Sequence, residues 1–165
     1  MRVLGVDPGS ATTGWGIIEG DGRRYSLVEF GAVRAPARDR FAARLLIIGK
    51  ALGQVIERLQ PDACAIEEAF FAANVKTALK LGQVRGVALF IAERAGLEIN
   101  EYTPRLVKQT VVGYGAAEKH QVQEMVRLLL HLNVAPRPLD ASDALALAIT
   151  HLHHADFAQK VSGIR

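Results

Sequence analysis

The sequence predicts a mixed α/β fold in one domain spanning residues 1–165, and three observations lead to this class. Short runs of β-branched and aromatic residues fill the N-terminal part, and helical and strand-like stretches alternate after it. Hydrophobic residues make up 50% of the chain, against 22% charged residues. This composition is typical of a globular domain, and no segment resembles a disordered tract.

Three strands are expected first. Residues 2–7 form a short apolar run that ends in an acid and precedes the turn residues Pro8, Gly9 and Ser10. Residues 12–19 and 24–33 are rich in β-branched and aromatic residues, and Gly20-Asp21-Gly22 separates them as in a hairpin. We therefore expect three antiparallel N-terminal strands in a mixed central sheet.

Helices and single strands then alternate, which predicts helices flanking the sheet. Apolar residues recur every three or four positions over residues 40–59, and Pro61 ends that helix. The later predictions are a strand at 63–68, a helix at 74–95, a strand at 97–103, and helices beginning at 104, 118 and in 139–154. From about residue 158 we expect a disordered tail.

Charge, cysteine content and hydropathy limit the classes of function. The net charge of +3 and the pI near 9.2 are compatible with a polyanionic partner but do not demonstrate one. Cys64 is the only cysteine, so no internal disulfide can form and a reducing cytoplasm is expected. The apolar run before Asp7 is too short for a signal peptide, and no uncharged run reaches the roughly 18 residues of a membrane helix.

Acidic residues end two of the predicted strands, at Asp7 and at Glu67-Glu68. Sites in α/β sheets collect at the carboxyl ends of strands, where such acids lie. Because side chains alternate along a strand, only one of Glu67 and Glu68 can share a face with Asp7. The alternative for each strand end alone is an ordinary surface acid.

A second pair of acids, Asp140 and Asp143, opens the apolar stretch at residues 139–154. If this stretch is a helix, a spacing of three puts both on one face, about 5–6 Å apart at Cβ. Alternatively, Asp140 follows the proline-bearing loop 135–138 as an N-cap, and Asp143 at N3 favours the helix dipole. The sequence of this stretch leaves both interpretations open.

Four converging carboxylates would repel one another unless cations relieved the repulsion. Their oxygens are the ligands that Mg²⁺ or Mn²⁺ takes, and two ions about 3.5–4 Å apart can activate a water and stabilise the leaving oxygen of a phosphodiester. Zinc is not indicated, because His151, His153 and His154 have no cysteine partners; they are interpreted as a polar helix end.

Aromatic residues also point to a nucleic-acid substrate. Phe70 and Phe71 directly follow an acidic strand end, where exposed rings can stack on unpaired bases. The alternative is that at least one ring, Phe71 in particular, is core.

Basic residues lie in two groups. Lys76 and Lys80 share a helix face, with Arg85 further along, although a solvated face would have the same pattern. Lys108 and Lys119 flank a glycine-rich turn, so both can reach one phosphate track. On the same long helix, Gly82 and Gly86 would let a second helix approach closely, which we interpret as a hypothetical dimer contact.

Four blocks of sequence, in order from about residue 2 to 154, closely resemble the RuvC family of bacterial Holliday-junction resolvases. They are VDPGSATTGWG at 6–16, AIEEAFFAANVKTALKLGQVRGVA at 65–88, VKQTVVGYGAAEKHQV at 107–122 and DASDALALAITH at 140–151. The turn DPGS alone would be weak evidence, whereas the four blocks together are highly specific.

The resemblance implies a ribonuclease H-like fold and a homodimeric endonuclease that cuts four-way DNA junctions symmetrically, in DNA recombination and repair. It implies a branch-migration complex of the RuvA and RuvB type as partner. The family's site maps onto this sequence as follows: the acidic tetrad Asp7, Glu67, Asp140 and Asp143, which binds Mg²⁺, the lysines Lys108 and Lys119, and the DNA-stacking ring Phe70.

One position departs from the family pattern, and one role stays open. Ala116 stands where relatives can carry a helix-capping serine, and Gly115 is expected to cap instead. Asp143 can serve as a metal ligand, as a base, or as a group next to the ligands.

Three alternatives were weighed against this resemblance. Actin-like ATPases and sugar kinases share a similar first turn but need two lobes, for which 165 residues are too few. A ribonuclease H-like nuclease acting on RNA would not be expected to match the blocks at 65–88 and 140–151 together. A protein that binds junctions without cutting has no reason to place four carboxylates near phosphate.

Overall fold

A computed structural model describes residues 1–68 and 74–162, with side chains up to residue 156, and has one five-stranded sheet in the order β3-β2-β1-β4-β5. The strands are β1 (Arg2–Asp7), β2 (Thr12–Gly20), β3 (Tyr25–Arg34), β4 (Ala63–Glu67) and β5 (Glu98–Tyr102). The pairs β1–β2 and β2–β3 are antiparallel, and β1–β4 and β4–β5 are parallel. The mixed sheet with three antiparallel N-terminal strands is confirmed.

The helices are α1 (Phe41–Leu59), α2 (Val75–Arg94), α3 (Pro104–Val112), α4 (Lys119–Leu129) and α5 (Leu139–Ser162). Asn74 caps α2 by accepting from the Thr77 N–H, and Thr103 caps α3 by accepting from the Leu106 N–H. Helix α5 remains helical past residue 158, where the sequence predicted a disordered tail. Among the residues described, no helix is long and apolar enough to cross a membrane.

The start of α4 corrects the expectation that Gly115 caps it. Glu118 precedes the helix, and its N–H donates to Gln121 Oε1 at 2.8 Å. In return, the Gln121 N–H donates to the Glu118 carbonyl at 3.0 Å. This reciprocal pair satisfies the helix start three residues after Gly115, so no serine is needed at position 116.

The sheet separates two apolar cores. Strand residues alternate between them: Val3 belongs to the core under α3, α4 and α5, and Leu4 and Val6 belong to the core under α1 and α2. Glycines let α5 lie directly on β1 and β2. A Cβ atom at Gly5 would lie 1.8 Å from the Ala144 carbonyl oxygen, and one at Gly14 would lie 1.9 Å from the Asp140 carbonyl oxygen.

Candidate active site

Two strand-end acids lie side by side on the α5 face of the sheet. Val6 pairs with Ile66 in the parallel β1–β4 register, so the next residues, Asp7 and Glu67, end adjacent strands. Val6 and Ile66 face the α1–α2 core, so alternation sends both acids to the opposite face. Glu68 is exposed, and its N–H donates to the Tyr102 carbonyl at 2.9 Å. This agrees with the expectation that only one glutamate of the pair faces Asp7.

Helix α5 brings the second pair of acids to the same place. Asp7 pairs with Gly14 across β1–β2, and the backbone of Asp140 rests directly on Gly14. The close contact therefore fixes the start of α5 beside the end of β1. Asp143 follows on the same side of the helix and lines a cleft with Asp7 and Glu67.

The capping interpretation of Asp140 and Asp143 is wrong. Helix α5 begins at Leu139, and the Ala141 N–H already donates to the Pro138 carbonyl at 3.1 Å. Asp140 therefore lies inside the first turn, and Asp143 lies beyond it. Asp140 still benefits from the positive end of the helix dipole, but neither carboxylate is needed to begin the helix.

The cleft has a volume of about 240 Å³ and has acidic and basic walls. Charged side chains from five elements line it: Asp7, Glu67, Lys108, Lys119 and Asp143. The apolar lining comes from α3, α4 and α5 and includes Val107, Val122 and Leu147. Lys108 and Lys119, the two lysines predicted beside the glycine-rich turn, thus line the same cleft as the acids.

Burial and like charge act together on Asp7. Burial raises its pKa most, and the charges of Asp143, Glu67 and Asp140 raise it further, to about 7. Burial, followed by the charge of Asp143, also raises the pKa of Glu67. All four predicted acids therefore belong to one electrostatic unit.

Lys119 provides the positive charge in this unit. Its Nζ donates to Asp143 Oδ2 at 3.1 Å, and the negative charge of Asp143 is the main cause that raises the pKa of Lys119. Asp7 and Asp140 raise it further. An ammonium group therefore partly balances the acids.

The donor set fits a hard divalent cation, because it consists of carboxylate oxygens. Burial raises the pKa of Asp7 most and the charges of the other three acids raise it further, and a bound cation would offset this second contribution. Across residues 1–68 and 74–156, however, no three His, Cys, Asp or Glu side chains are grouped so as to hold a metal ion.

Two other predicted DNA contacts, Lys76 and Lys80, do not line the cleft. Lys76 and Lys80 are exposed on α2, and Lys80 Nζ lies 5.8 Å from the centre of the Phe41 ring. Phe70 lies outside the described residues, so its predicted role is not addressed by the structure.

Sequence reasoning placed Arg85 with Lys76 and Lys80, and the structure corrects this. Arg85 turns toward the sheet, where its Nε donates to the Glu67 carbonyl at 3.0 Å and its guanidinium pairs with Glu101. Helical phase provides the signal that was missed: an offset of five residues from Lys80 turns Arg85 by about 140°.

The turn after β1 has two further supports that the sequence did not suggest. Thr13 Oγ1 donates to the Gly9 carbonyl at 2.8 Å, and the buried Arg44 of α1 donates to the Ser10 carbonyl. The chain that follows Asp7 is therefore held from the sheet and from α1.

Comparison with known proteins places this geometry in context. A sequence profile of the family "Crossover junction endodeoxyribonuclease RuvC" matches residues 3–151. The curated protein of that name from Chloroflexus aggregans is 54% identical over 160 residues, which cover 97% of this chain and 98% of the relative.

Solved structures show the same relationship. The structure of Thermus thermophilus RuvC in complex with a Holliday junction substrate has a TM-score of 0.91 and 36% identity, and the match covers 96% of each chain. Another Thermus thermophilus RuvC structure has a TM-score of 0.87 and 37% identity, and the match covers 96% of this chain and 97% of the other. The sheet and its flanking helices therefore have the ribonuclease H-like fold of these resolvases.

Proposed function

Because the chain belongs to the RuvC family of crossover junction endodeoxyribonucleases, we propose that it resolves four-way (Holliday) DNA junctions by hydrolysing phosphodiester bonds in two strands. The observation that carries the proposal is the convergence of Asp7 and Glu67 with the α5 acids beside two lysines, in a chain similar to junction resolvases over nearly its full length. Its role is DNA recombination and repair, which places it in the cytoplasm with the chromosome.

In this proposal each site binds two Mg²⁺ ions, which Mn²⁺ can replace. The ligands are the four acids Asp7, Glu67, Asp140 and Asp143. The ions, when bound, would polarise the scissile phosphate and lower the pKa of the attacking water. Asp7 supports this role because burial and, after it, the charges of the other three acids raise its pKa, and a cation would offset those charges. Among the described residues that line the cleft there is no histidine or cysteine, and the carboxylate oxygens favour such a hard ion over zinc.

The lysines have separate roles in the proposal. Lys119, already paired with Asp143, offsets negative charge that develops on the phosphate during hydrolysis. Lys108, on the α3 wall of the same cleft, holds a phosphate of the bound strand. Lys76 and Lys80 on α2 contact the DNA outside the cleft, and Phe70 stacks on a DNA base.

Two sites on one junction require two copies of the chain, so we propose a homodimer. Helix α2 supports this with an exposed apolar stripe of Val75, Leu79 and Phe90, whose side chains are 74%, 64% and 63% exposed. Gly82 and Gly86 lie along the same stripe, and nothing within the described chain comes within 4 Å of a Cβ atom placed on either. A branch-migration complex of the RuvA and RuvB type is the proposed partner at the junction.

The dimer proposal is tested by Gly86→Trp in sedimentation. We expect this variant to be monomeric, because indole would hold the partner helix away from α2. Glu124→Trp, exposed on α4 at the other face of the sheet, is the control and should remain dimeric. A dimeric Gly86→Trp protein would contradict the proposed contact.

The reaction is tested by incubating the protein with a mobile four-way junction, a matched duplex and single-stranded RNA, with and without Mg²⁺. We expect Mg²⁺-dependent, symmetric cutting of the junction alone. Asp7→Asn, Glu67→Gln, Asp140→Asn and Asp143→Asn should each abolish cutting while junction binding survives. Preferential cutting of RNA or plain duplex would overturn the proposed function.

A further inference from the structure

We infer that Arg85 is a positioning residue for Glu67: it holds the end of β4 so that the Glu67 carboxylate faces Asp7. The inference rests on the proposed function, because it assigns Arg85 a part in the site that Glu67 forms. It replaces the interpretation of Arg85 as a DNA contact on the outer face of α2.

The first argument is a backbone group that the sheet leaves without a donor. Beyond the Val6–Ile66 pair the parallel ladder ends, and the residue after Asp7 is Pro8, which has no N–H to donate. The Glu67 carbonyl instead accepts from Arg85 Nε at 3.0 Å. A side chain from α2 thus completes the hydrogen bonding of the residue that bears the carboxylate.

The second argument is that Arg85 is itself held in place. Its guanidinium spans from the Glu67 carbonyl on β4 to the Glu101 carboxylate on β5, and its side chain is only 17% exposed. A planar guanidinium group that is hydrogen-bonded on two sides has little conformational freedom. Glu67 therefore remains in line with β5 even where the ladder to β1 has ended.

The third argument separates positioning from direct electrostatics. The charges that shift the pKa of Glu67 are those of Asp143, Lys119 and Lys108, and Arg85 is not among them. Arg85 bonds the main chain of Glu67 from α2, which packs on the face of the sheet opposite to α5, and it lines a pocket that also borders Asp7, Glu67 and Glu68. Its effect on the site therefore passes through the backbone.

The test compares Arg85→Ala, Arg85→Lys and Glu67→Gln with the unsubstituted chain and with Arg94→Ala. Arg94→Ala is the control because it removes the same type of side chain from the exposed last turn of α2. Mn²⁺ affinity is measured by calorimetry without DNA, junction affinity in EDTA, and single-turnover cutting across a Mg²⁺ titration. Thermal unfolding is followed for every variant.

We expect Arg85→Ala to weaken Mn²⁺ binding and to raise the half-saturating Mg²⁺ concentration by about tenfold, as for other groups that orient metal ligands. Junction affinity in EDTA should stay within about twofold, since one phosphate contact would be visible as a larger loss. Arg85→Lys keeps the charge and one donor, so it should restore part of the metal affinity. Arg94→Ala should match the unsubstituted chain.

Unchanged Mn²⁺ and Mg²⁺ dependence in a folded Arg85→Ala protein would overturn the inference, as would a loss of junction affinity in EDTA of tenfold or more. If Arg85→Ala does not fold, Arg85→Lys decides by the same criteria. The unsubstituted chain and Glu67→Gln separate this inference from the proposed function. If the unsubstituted chain does not cut junctions, the proposed function fails. If it cuts them, Glu67→Gln is inactive and the Arg85 variants are normal, only the inference fails.

Discussion

The two faces of the sheet are covered in different ways. On one face, α5 packs directly against the backbone of strand glycines. On the other face, α1 and α2 pack through side chains, and the apolar stripe of α2 stays exposed to solvent. On the α5 face, a Cβ atom at Gly5 would lie 1.8 Å from a helix carbonyl. On the other face, a Cβ atom at Gly53 of α1 would lie 3.9 Å from the Ile91 side chain. The contact at Gly5 therefore leaves no room for a Cβ atom, whereas the contact at Gly53 does.

The difference shows two ways of placing carboxylates. Asp140 and Asp143 are placed by the backbone contact of a whole helix, which depends on glycine in β1 and β2. Asp7 and Glu67 end strands, and arginines from α1 and α2 bond the carbonyls of Ser10 and Glu67. The α5 face therefore determines where the helix acids lie, and the opposite face supports the strand ends.

The largest expected effect is that of adding one methyl group to the α5 face. Gly5→Ala should lower the free energy of unfolding by more than about 3 kcal/mol or prevent folding, because backbone rather than a flexible side chain meets the new atom. Urea unfolding followed by circular dichroism measures the change.

The matched control is Gly53→Ala on α1, which makes the same substitution in the open packing. We expect it to raise the free energy of unfolding by about 0.5–1 kcal/mol, because alanine favours the helix interior. Equal losses for the two variants would contradict the distinction between the faces.

Without metal, Asp7→Asn should raise the free energy of unfolding, which is a smaller effect than that of Gly5→Ala and opposite in sign. At pH 8 the variant should be more stable than the unsubstituted chain by about 1–4 kcal/mol, because asparagine removes a charge that burial and three acids disfavour. Thermal unfolding in EDTA measures the difference, and added Mg²⁺ should narrow it.

The pH dependence of this difference follows from the raised pKa. Folded Asp7 keeps its proton up to a pKa of about 7, whereas in the unfolded chain it loses the proton near the ordinary value of 3.8. The folded state binds more protons in this window, so stability is lost as the pH rises from about 4 to 7. The advantage of Asp7→Asn should shrink over the same range as the pH falls. An advantage that does not vary with pH would contradict the assignment of the raised pKa to Asp7.

The smallest effect on stability is expected for Lys119→Ala. The Lys119 side chain is 71% exposed, so its pair with Asp143 should contribute less than about 0.5 kcal/mol to folding. The cutting rate should nevertheless fall at least about tenfold, since the amine offsets charge at the reacting phosphate. Lys50→Ala, exposed on α1, is the control for both measurements; unchanged cutting by Lys119→Ala would remove this residue from the site.

The sequence predicted the elements well because each has a local cause. The hairpin at Gly20–Gly22, the stop at Pro61 and the cap at Asn74 each depend on residues next to one another in the chain. Alternation along β4 likewise predicted that only one of Glu67 and Glu68 shares a face with Asp7, and the family resemblance indicated that this residue is Glu67.

What the sequence did not predict depends on contacts between distant segments. In the sequence, Gly5 and Gly14 resemble ordinary strand glycines, and Arg85 resembles a surface arginine. The glycines matter because α5 lies directly on them, and Arg85 matters because it bonds the end of β4. The capping alternative would begin α5 at residue 141, two residues late, because Asp140 is a residue type that often caps helices and the Pro138 carbonyl that accepts the first hydrogen bond cannot be recognised from a sequence pattern.

The contact of α5 with β1 and β2 also limits how the length of this chain can change. An inserted residue between Asp140 and Ala144 would turn the rest of the helix by about 100° and advance it by about 1.5 Å, so the glycine contacts and the acids could not both be kept. The connection between α4 and α5, from residue 130 to 138, has no such register to preserve. Among homologues, insertions and deletions should therefore collect in that connection, and the distance in sequence from Asp140 to Ala144 should not vary.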